Sequence, residues 1–144
     1  MGERVELDLP AAAEYLAVVR SVITAAAEVA SKLPPGRIDD LRLAVTEACA
    51  NAFDASRRVS ADCRVQVCCE LESTRVVVEV HDGGGGFDPD DVVPPPPVTR
   101  PDRLKFERCL GIPLMRVLAD EVDFRREGGG TTVRLVLTTV RPGV

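Results

Sequence analysis

Aromatic residues are scarce in this chain of 144 residues: they make up 3% of it, and tryptophan is absent. We therefore expect an aliphatic core, and a hydrophobic content of 45% is enough to build one within a single domain. The chain also lacks an excess of positive charge, since its formal net charge is −5. This charge argues against a nucleic-acid binder whose affinity comes from neutralising phosphates, so we predict no direct DNA binding.

Zinc motifs, membrane spans and a secretion signal are missing as well. The five cysteines form no C-x-x-C pair with a second pair or histidines at zinc spacing: Cys49, Cys63, Cys68, Cys69 and Cys109. No apolar run reaches the roughly 18 residues that a membrane span needs. The first ten residues carry acids where a signal peptide would be basic and then apolar. We therefore predict a cytoplasmic protein with reduced thiols and no membrane contact.

Hydrophobic periodicity predicts five strands and three helices. The strands are predicted within residues 1–10 and at residues 64–71, 75–81, 121–126 and 131–140. The helices are predicted at residues 11–33, about 39–56 and 112–119. The order β-α-α-β-β-α-β-β is typical of an α+β domain and not of alternating βα units.

Proline and glycine mark the connections between these elements. The sequence Pro34-Pro35-Gly36 is expected to break the first helix, which leaves Asp39 or Asp40 near the positive end of the second. Residues 128–130, all glycine, are expected to join the last two strands as a hairpin. Residues 87–108 contain six prolines and are predicted to be a long flexible loop. That loop would be either a cover over a ligand or a surface linker.

Two polar residues interrupt an otherwise apolar helix. Glu47 and Asn51 are four residues apart and lie on one helical face, with Leu43 one turn before them. Because Leu43 shares this face, we expect the pair to be covered, and a covered carboxylate and amide need partners. A magnesium ion with its waters would satisfy both, since Mg²⁺ takes oxygen ligands. The alternative is a helix with two polar residues at its solvent edge.

Four consecutive glycines follow Asp82 at the end of a predicted strand. Such a run costs backbone entropy, and it is useful where the backbone must approach a ligand closely. An aspartate in this place can accept a hydrogen bond from the exocyclic amino group of adenine. The run is not a P-loop, because Phe87 stands where the G-K-[ST] sequence would follow, and residues 83–89 give no G-x-G-x-x-G. The alternative is a glycine-rich turn without a ligand.

Four segments in this order resemble the GHKL (histidine-kinase-like) ATPases, and most closely the small bacterial anti-sigma factors that are serine/threonine protein kinases. The N box corresponds to residues 41–52, the G1 box to residues 82–89, the G2 region to residues 110–115 and 118–122, and the last box to residues 129–133. The resemblance implies a single domain over residues 1–144 with a flexible ATP lid at about residues 87–110. It also implies an α+β fold of the Bergerat type, a two-layer sandwich in which helices cover one face of a mixed, mostly antiparallel sheet.

The resemblance implies a role for each site residue. Glu47 would be the base that activates the attacking hydroxyl, and Asn51 would hold Mg²⁺ against the phosphates of ATP. Asp82 would bind adenine, supported by Thr131 through a water molecule. Four further positions would shape the pocket and the lid or face the phosphates: Gly84, Gly86, Gly111 and Ile112.

The function that the resemblance implies is partner switching. The protein would phosphorylate a serine or threonine of an anti-sigma factor antagonist of the STAS type, would sequester a sigma factor, and would form a homodimer through apolar positions of the first strand and helix. Cys109 replaces the first glycine of the usual G-x-G, and Pro113 removes an N–H from the first turn of the lid helix. The alternative is therefore a module of the same fold that binds nucleotide and a partner without phosphorylating it. A third possibility is an ATP-dependent regulatory domain that acts on no sigma factor.

Overall fold

Five strands and three α-helices make up the fold, in a computed structural model that describes residues 2–60, 62–83, 111–127 and 129–140. The strands are β1 (Glu3–Pro10), β2 (Arg64–Leu71), β3 (Arg75–Asp82), β4 (Glu121–Glu127) and β5 (Gly130–Thr138). The helices are α1 (Leu16–Ala30), α2 (Pro35–Val59) and α3 (Gly111–Leu118), and a short 3-10 helix at Ala13–Tyr15 precedes α1. The predicted order of elements and the α+β class are confirmed. The predicted loop at residues 87–108 lies outside the described residues.

The strands form one sheet in the order β1-β2-β3-β5-β4. Each of the four pairings is antiparallel, so the described sheet contains no parallel pair. The register places Leu7, Val67 and Val80 side by side across three strands. Because side chains alternate between the faces of a strand, this register gathers the apolar residues of all three strands on one face.

The helices cover that apolar face. Helix α2 packs on β2, β3 and β5, while α1 packs on α2 near β1 and β2, and α3 packs on α2 near β4. Alanines at Ala44, Ala48 and Ala52 are at most 2% exposed, which lets the α2 backbone come close to its neighbours. The core is aliphatic as predicted, with Phe53 as the largest fully buried side chain.

The boundaries of the first two helices differ from the prediction. Helix α2 begins at Pro35 instead of about Asp39, because a proline in the first turn lacks only an N–H that would have no helical partner. Helix α1 ends at Ala30 instead of residue 33. Beyond it, the N–H of Lys32 donates to the carbonyl of Ser73 at 2.7 Å, which turns the chain away from the helix axis.

The strand ends differ by one or two residues. Strand β3 includes Asp82 as its last residue, and β5 ends at Thr138 rather than at residue 140. The hairpin between β4 and β5 starts from the pair Glu127 and Gly130, as the glycines there predict. None of the helices in the described ranges is long and apolar enough to cross a membrane.

Candidate functional site

Asp82 and Thr131 lie side by side at the ends of two paired strands. They are direct partners in the antiparallel register of β3 and β5, and each is 1% exposed. The residues two positions away in each strand, Val80 and Val133, are a core pair. Since side chains two residues apart share a face, Asp82 and Thr131 continue the helix-covered face of the sheet. The structure thus brings together the two residues that sequence reasoning assigned to adenine.

The neighbouring Gly130 allows the strand ends to approach each other. A Cβ atom at this position would overlap the backbone carbonyl oxygen of Asp82. Gly129 has φ of 84°, which lies in the left-handed region that glycine adopts without strain. Sequence reasoning placed Gly130 in the hairpin and in the last box of the resemblance, but gave it no role of its own. The close approach of Gly130 to Asp82 depends on the pairing of β3 with β5, and the glycine-rich turn sequence does not reveal that pairing.

The hydroxyl of Thr131 is an unsatisfied polar atom. Its Oγ1 is buried and has no hydrogen-bond partner within the described part of the chain. By contrast, the hydroxyl of the next residue, Thr132, lies on the other face of the sheet and is 2.8 Å from Nδ1 of His81. A buried hydroxyl without a partner is unusual in folded proteins and calls for a ligand or a water. The buried hydroxyls of Thr24 and Ser56 also have no partner among the described residues, so it is the position of Thr131 beside the buried Asp82 that suits it to a bound molecule.

Glu47 and Asn51 lie on the middle of α2, which packs on both β3 and β5. Both are partly buried, and the intervening Ala48 is fully buried. Burial raises the pKa of Glu47 above its ordinary value, because the charged carboxylate loses hydration. The expected cover at Leu43 is not found, since that side chain is 44% exposed. The α2 face that carries Glu47 and Asn51 is therefore open to solvent at its Leu43 end, where a second molecule could reach Glu47.

Helix α3 carries the remaining described positions of the site. It starts at Gly111 and is held to the core by Met115, which is fully buried. Pro113 is exposed in its first turn. The structure describes the backbone of Gly111 and Ile112 and not their surroundings. The other predicted positions, Gly84, Gly86, Cys109 and the lid at about residues 87–110, lie outside the described residues.

No group of three or more histidine, cysteine, aspartate or glutamate side chains in the described ranges is arranged to hold a metal ion. Mg²⁺ in phosphate-transfer sites commonly binds through one or two protein oxygens together with phosphate oxygens and water. The side-chain oxygen of the partly buried Asn51 could serve as one such protein ligand, with water and phosphate oxygens as the others.

Comparison with known proteins places this arrangement in a family. The model of the histidine kinase-like ATPase domain matches residues 9–137 of the chain. The chain belongs to this histidine kinase-like ATPase family. A curated relative, the serine-protein kinase RsbW of Bacillus subtilis (strain 168), is 33% identical over an alignment of 136 residues, and the match covers 90% of this chain and 82% of the relative. The resemblance to GHKL ATPases and to anti-sigma serine kinases is thereby confirmed.

Two solved structures share the fold of this histidine kinase-like domain. The RsbU and RsbW domains of Rv1364c from Mycobacterium tuberculosis match with a TM-score of 0.66 at 19% identity, over 97% of this chain and 33% of that one. The histidine kinase domain of the blue-light-activated histidine kinase EL346 from Erythrobacter litoralis matches with a TM-score of 0.53 at 21% identity, over 90% of this chain and 61% of that one. The chain thus spans about a third and about three fifths of these two proteins. At such identities the likeness establishes the fold alone.

Proposed function

We propose that this protein is a serine/threonine protein kinase of the partner-switching type. In this proposal it binds Mg-ATP, phosphorylates a serine or threonine on an anti-sigma factor antagonist of the STAS type, and sequesters a sigma factor. The observation that carries the proposal is the buried pair of Asp82 and Thr131, whose hydroxyl has no partner among the described residues. The relationship to a serine-protein kinase over 90% of the chain supports the reaction type.

The buried pair fits the adenine end of a nucleotide. The carboxylate of Asp82 accepts a hydrogen bond from the exocyclic amino group, and the Thr131 hydroxyl gains the partner that it lacks among the described residues. Gly130 keeps the β5 backbone close to the carbonyl of Asp82, so the two side chains hold a fixed spacing. Burial also strengthens these hydrogen bonds, because little water competes for them.

The phosphates then extend toward α2 and the start of α3. Asn51 would hold a magnesium ion there, and Gly84 and Gly86 would shape the wall of the pocket beside the lid. The backbone N–H groups of Gly111 and Ile112 lie at the amino-terminal end of α3, which is the positive end of the helix dipole and attracts phosphate. Bound Mg²⁺ would offset negative charge on the transferring phosphoryl group.

Glu47 acts as the base in this proposal. The acceptor hydroxyl oxygen forms a bond to the γ-phosphorus, the bond from that phosphorus to the bridging oxygen of ADP breaks, and Glu47 takes the hydroxyl proton. A base works best when its pKa approaches the operating pH, and burial raises the pKa of Glu47 in that direction. The exposed Leu43 one turn away leaves the approach to this carboxylate open.

Transfer of labelled phosphate tests the proposal directly. Incubation with γ-labelled ATP and candidate antagonist proteins encoded near this one should label the antagonist, and Glu47→Ala should abolish the label while ATP affinity measured by calorimetry is kept. Asp82→Asn should weaken ATP binding. Asp39→Asn, which changes an exposed carboxylate on the same helix, should change neither. Absence of Mg-ATP binding at millimolar nucleotide would overturn the whole proposal.

A nucleotide-binding module that does not phosphorylate its partner is the second candidate. The observation in its favour is Pro113 in the first turn of α3, where it removes one N–H that would otherwise face phosphate. This candidate predicts normal Mg-ATP binding by the wild-type protein and no label on any antagonist. Glu47→Ala would then change neither property.

A second copy of the chain is the partner we propose for α1. This helix exposes Val18 and Val29 at 42% and 89%, while its opposite face packs on the core through Val19 and Ile23. Light scattering of the wild type should give the mass of a dimer, and Val29→Glu should give that of a monomer. A monomeric wild type would contradict this proposal without affecting the nucleotide site.

A further inference from the structure

Arg37 is an arginine buried in the first turns of α2. The residue is 3% exposed, which is rare for a charged side chain unless it is fully paired. Leaving a buried guanidinium without partners would be strongly destabilising, so its contacts define what it holds together. Nothing in the proposed chemistry uses this side chain.

The guanidinium of Arg37 donates hydrogen bonds in several directions. Nη1 donates to Oδ2 of Asp40 at 2.8 Å and to the carbonyl of Leu118 at 2.8 Å. Nη2 donates to Oδ2 of Asp120 at 2.6 Å, and Nε donates to the carbonyl of Thr138 at 2.9 Å. One side chain thus joins the start of α2, the last residue of α3, the turn after it and the end of β5.

The turn after α3 is fixed to β5 by further bonds. The N–H of Thr138 donates to Oδ2 of Asp120 at 2.8 Å, and the N–H of Asp120 donates to the carbonyl of Val136 at 2.8 Å. The guanidinium also lies at the carbonyl end of α3, where a positive charge is favoured by the helix dipole. Hydrogen bonds to Arg37 and to β5 therefore fix the backbone position of residues 118–120.

We propose that Arg37 is a positioning residue for the phosphate end of the site. By fixing the carboxyl-terminal end of α3, it sets the direction in which the amino-terminal end at Gly111 points. The inference rests on the proposed function, because the phosphates of ATP are what that end of α3 would meet. In this proposal Arg37 touches no substrate, and its effect on the site is transmitted through α3.

The length of α3 makes its direction critical. Eight residues span about 12 Å, so a tilt of about 5° at Leu118 displaces the far end of α3 by about 1 Å. A displacement of about 1 Å would lengthen an N–H···O distance from about 2.9 Å to about 3.9 Å, which is beyond hydrogen-bond range and would weaken phosphate binding. The apolar contacts of Met115 are not directional, so the bonds of Arg37 supply the directional restraint at this end of α3. Arg116, whose guanidinium is 5.7 Å from the centroid of Phe124, adds a weaker tie on the outer side.

Lysine cannot replace arginine in this position. Its single ammonium nitrogen has three donors at one point, whereas the guanidinium fork reaches acceptors on opposite sides. Arg37→Lys therefore keeps the charge and loses part of the bond set. Arg37→Met keeps the apolar stem and loses every bond.

The test separates phosphate binding from adenine binding. Affinities for ATP and for adenosine are measured in the wild type, Arg37→Met, Arg37→Lys and Leu71→Ala. Leu71 is 1% exposed in β2 and pairs with Val76 at the end of β3 away from Asp82, so its truncation destabilises the fold without touching α3. We expect Arg37→Met to lose at least 10-fold in ATP affinity and less than 2-fold in adenosine affinity, with Arg37→Lys between it and the wild type.

The control decides whether the effect is one of position or of stability. Leu71→Ala should change both affinities by less than 2-fold at a similar loss in melting temperature. If Arg37→Met lowers both affinities equally, or lowers neither, the inference is wrong. If Arg37→Met does not fold, Arg37→Lys is compared with Leu71→Ala by the same two criteria. A wild type that binds no Mg-ATP would instead overturn the proposed function.

Discussion

Replacing Thr131 by valine should make the protein more stable and a poorer ATP binder at the same time. The Thr131 hydroxyl is buried and has no partner within the described part of the chain. Such a group costs about 1–3 kcal/mol, and valine has nearly the same shape without the polar atom. Taking the lower end, about 1 kcal/mol of added stability corresponds to a rise of about 3 °C in melting temperature for a chain of this size.

The same substitution should weaken nucleotide binding. If the hydroxyl makes one hydrogen bond with bound nucleotide, directly or through water, its loss costs about 0.5–1.5 kcal/mol. That is a decrease in ATP affinity of about 2- to 12-fold. Calorimetric titration with Mg-ATP and thermal unfolding of the ligand-free protein measure the two effects separately.

The adjacent residue supplies a matched control. Thr132 is also buried, at 4% exposure, but its hydroxyl is 2.8 Å from His81 Nδ1 on the opposite face of the sheet. Thr132→Val should therefore lower stability by about 1 kcal/mol and leave ATP affinity unchanged. If Thr131→Val destabilises as much as Thr132→Val, the Thr131 hydroxyl is satisfied without a ligand. If it stabilises but leaves ATP affinity unchanged, the hydroxyl does not serve the nucleotide.

Three further substitutions or reactions test other parts of the site and core. Glu47→Gln should reduce phosphate transfer by about 10²- to 10⁴-fold. Because burial raises the pKa of Glu47, ionisation of its carboxyl group destabilises the folded wild type. The variant should therefore have a higher melting temperature than the wild type at pH 8, and the two melting temperatures should converge below about pH 4. Gly130→Ala should lower the free energy of unfolding by about 1–3 kcal/mol, because the added Cβ overlaps the backbone of Asp82. Gly36→Ala should not destabilise the protein, because no atom lies within 4 Å of its added Cβ, and equal melting temperatures of the two variants would contradict this prediction. Burial raises the pKa of Cys49 and of Cys69 to about 12, so both thiols should stay unreactive toward a disulfide reagent at pH 8 until urea unfolds the protein. Rapid labelling of these two cysteines in the folded protein would refute this prediction.

Strand β2 was predictable from sequence because its burial follows a period of two. In β2, the alternating residues Val65, Val67, Cys69 and Leu71 are all at most 1% exposed. A slip of one residue would turn all of them to solvent, so the pattern fixes both the strand and its inward face. The position of Asp82 at the end of β3 follows from the same alternation, since it lies two residues after the buried Val80.

The hydrogen bonds of Arg37 that connect α2 to the end of α3 were not predictable from sequence. Arg37 and Asp120 are separated by 83 residues, and no local pattern relates them. Asp40 was expected near the positive end of a helix, but it is 4% exposed and paired with Arg37 three residues away. The spacing of Arg37 and Asp40 on one helix was the available signal. The sequence pattern hides this signal, because Pro34-Pro35-Gly36 predicts a helix break, whereas Pro35 lies in the first turn of α2.

The two halves of the candidate site depend on different kinds of restraint. Asp82 and Thr131 are set by strand register, and a register shift would break the whole sheet, so their spacing is insensitive to changes elsewhere. Helix α3 is packed on the core through Met115, and its far end is held in addition by the directional bonds of one guanidinium, so its direction depends on a few bonds. Substitutions near Arg37 should therefore affect phosphate contacts and transfer while adenine binding persists. Under the proposed function, a change at Arg37 would therefore alter the phosphate contacts while the adenine contacts at Asp82 and Thr131 are kept.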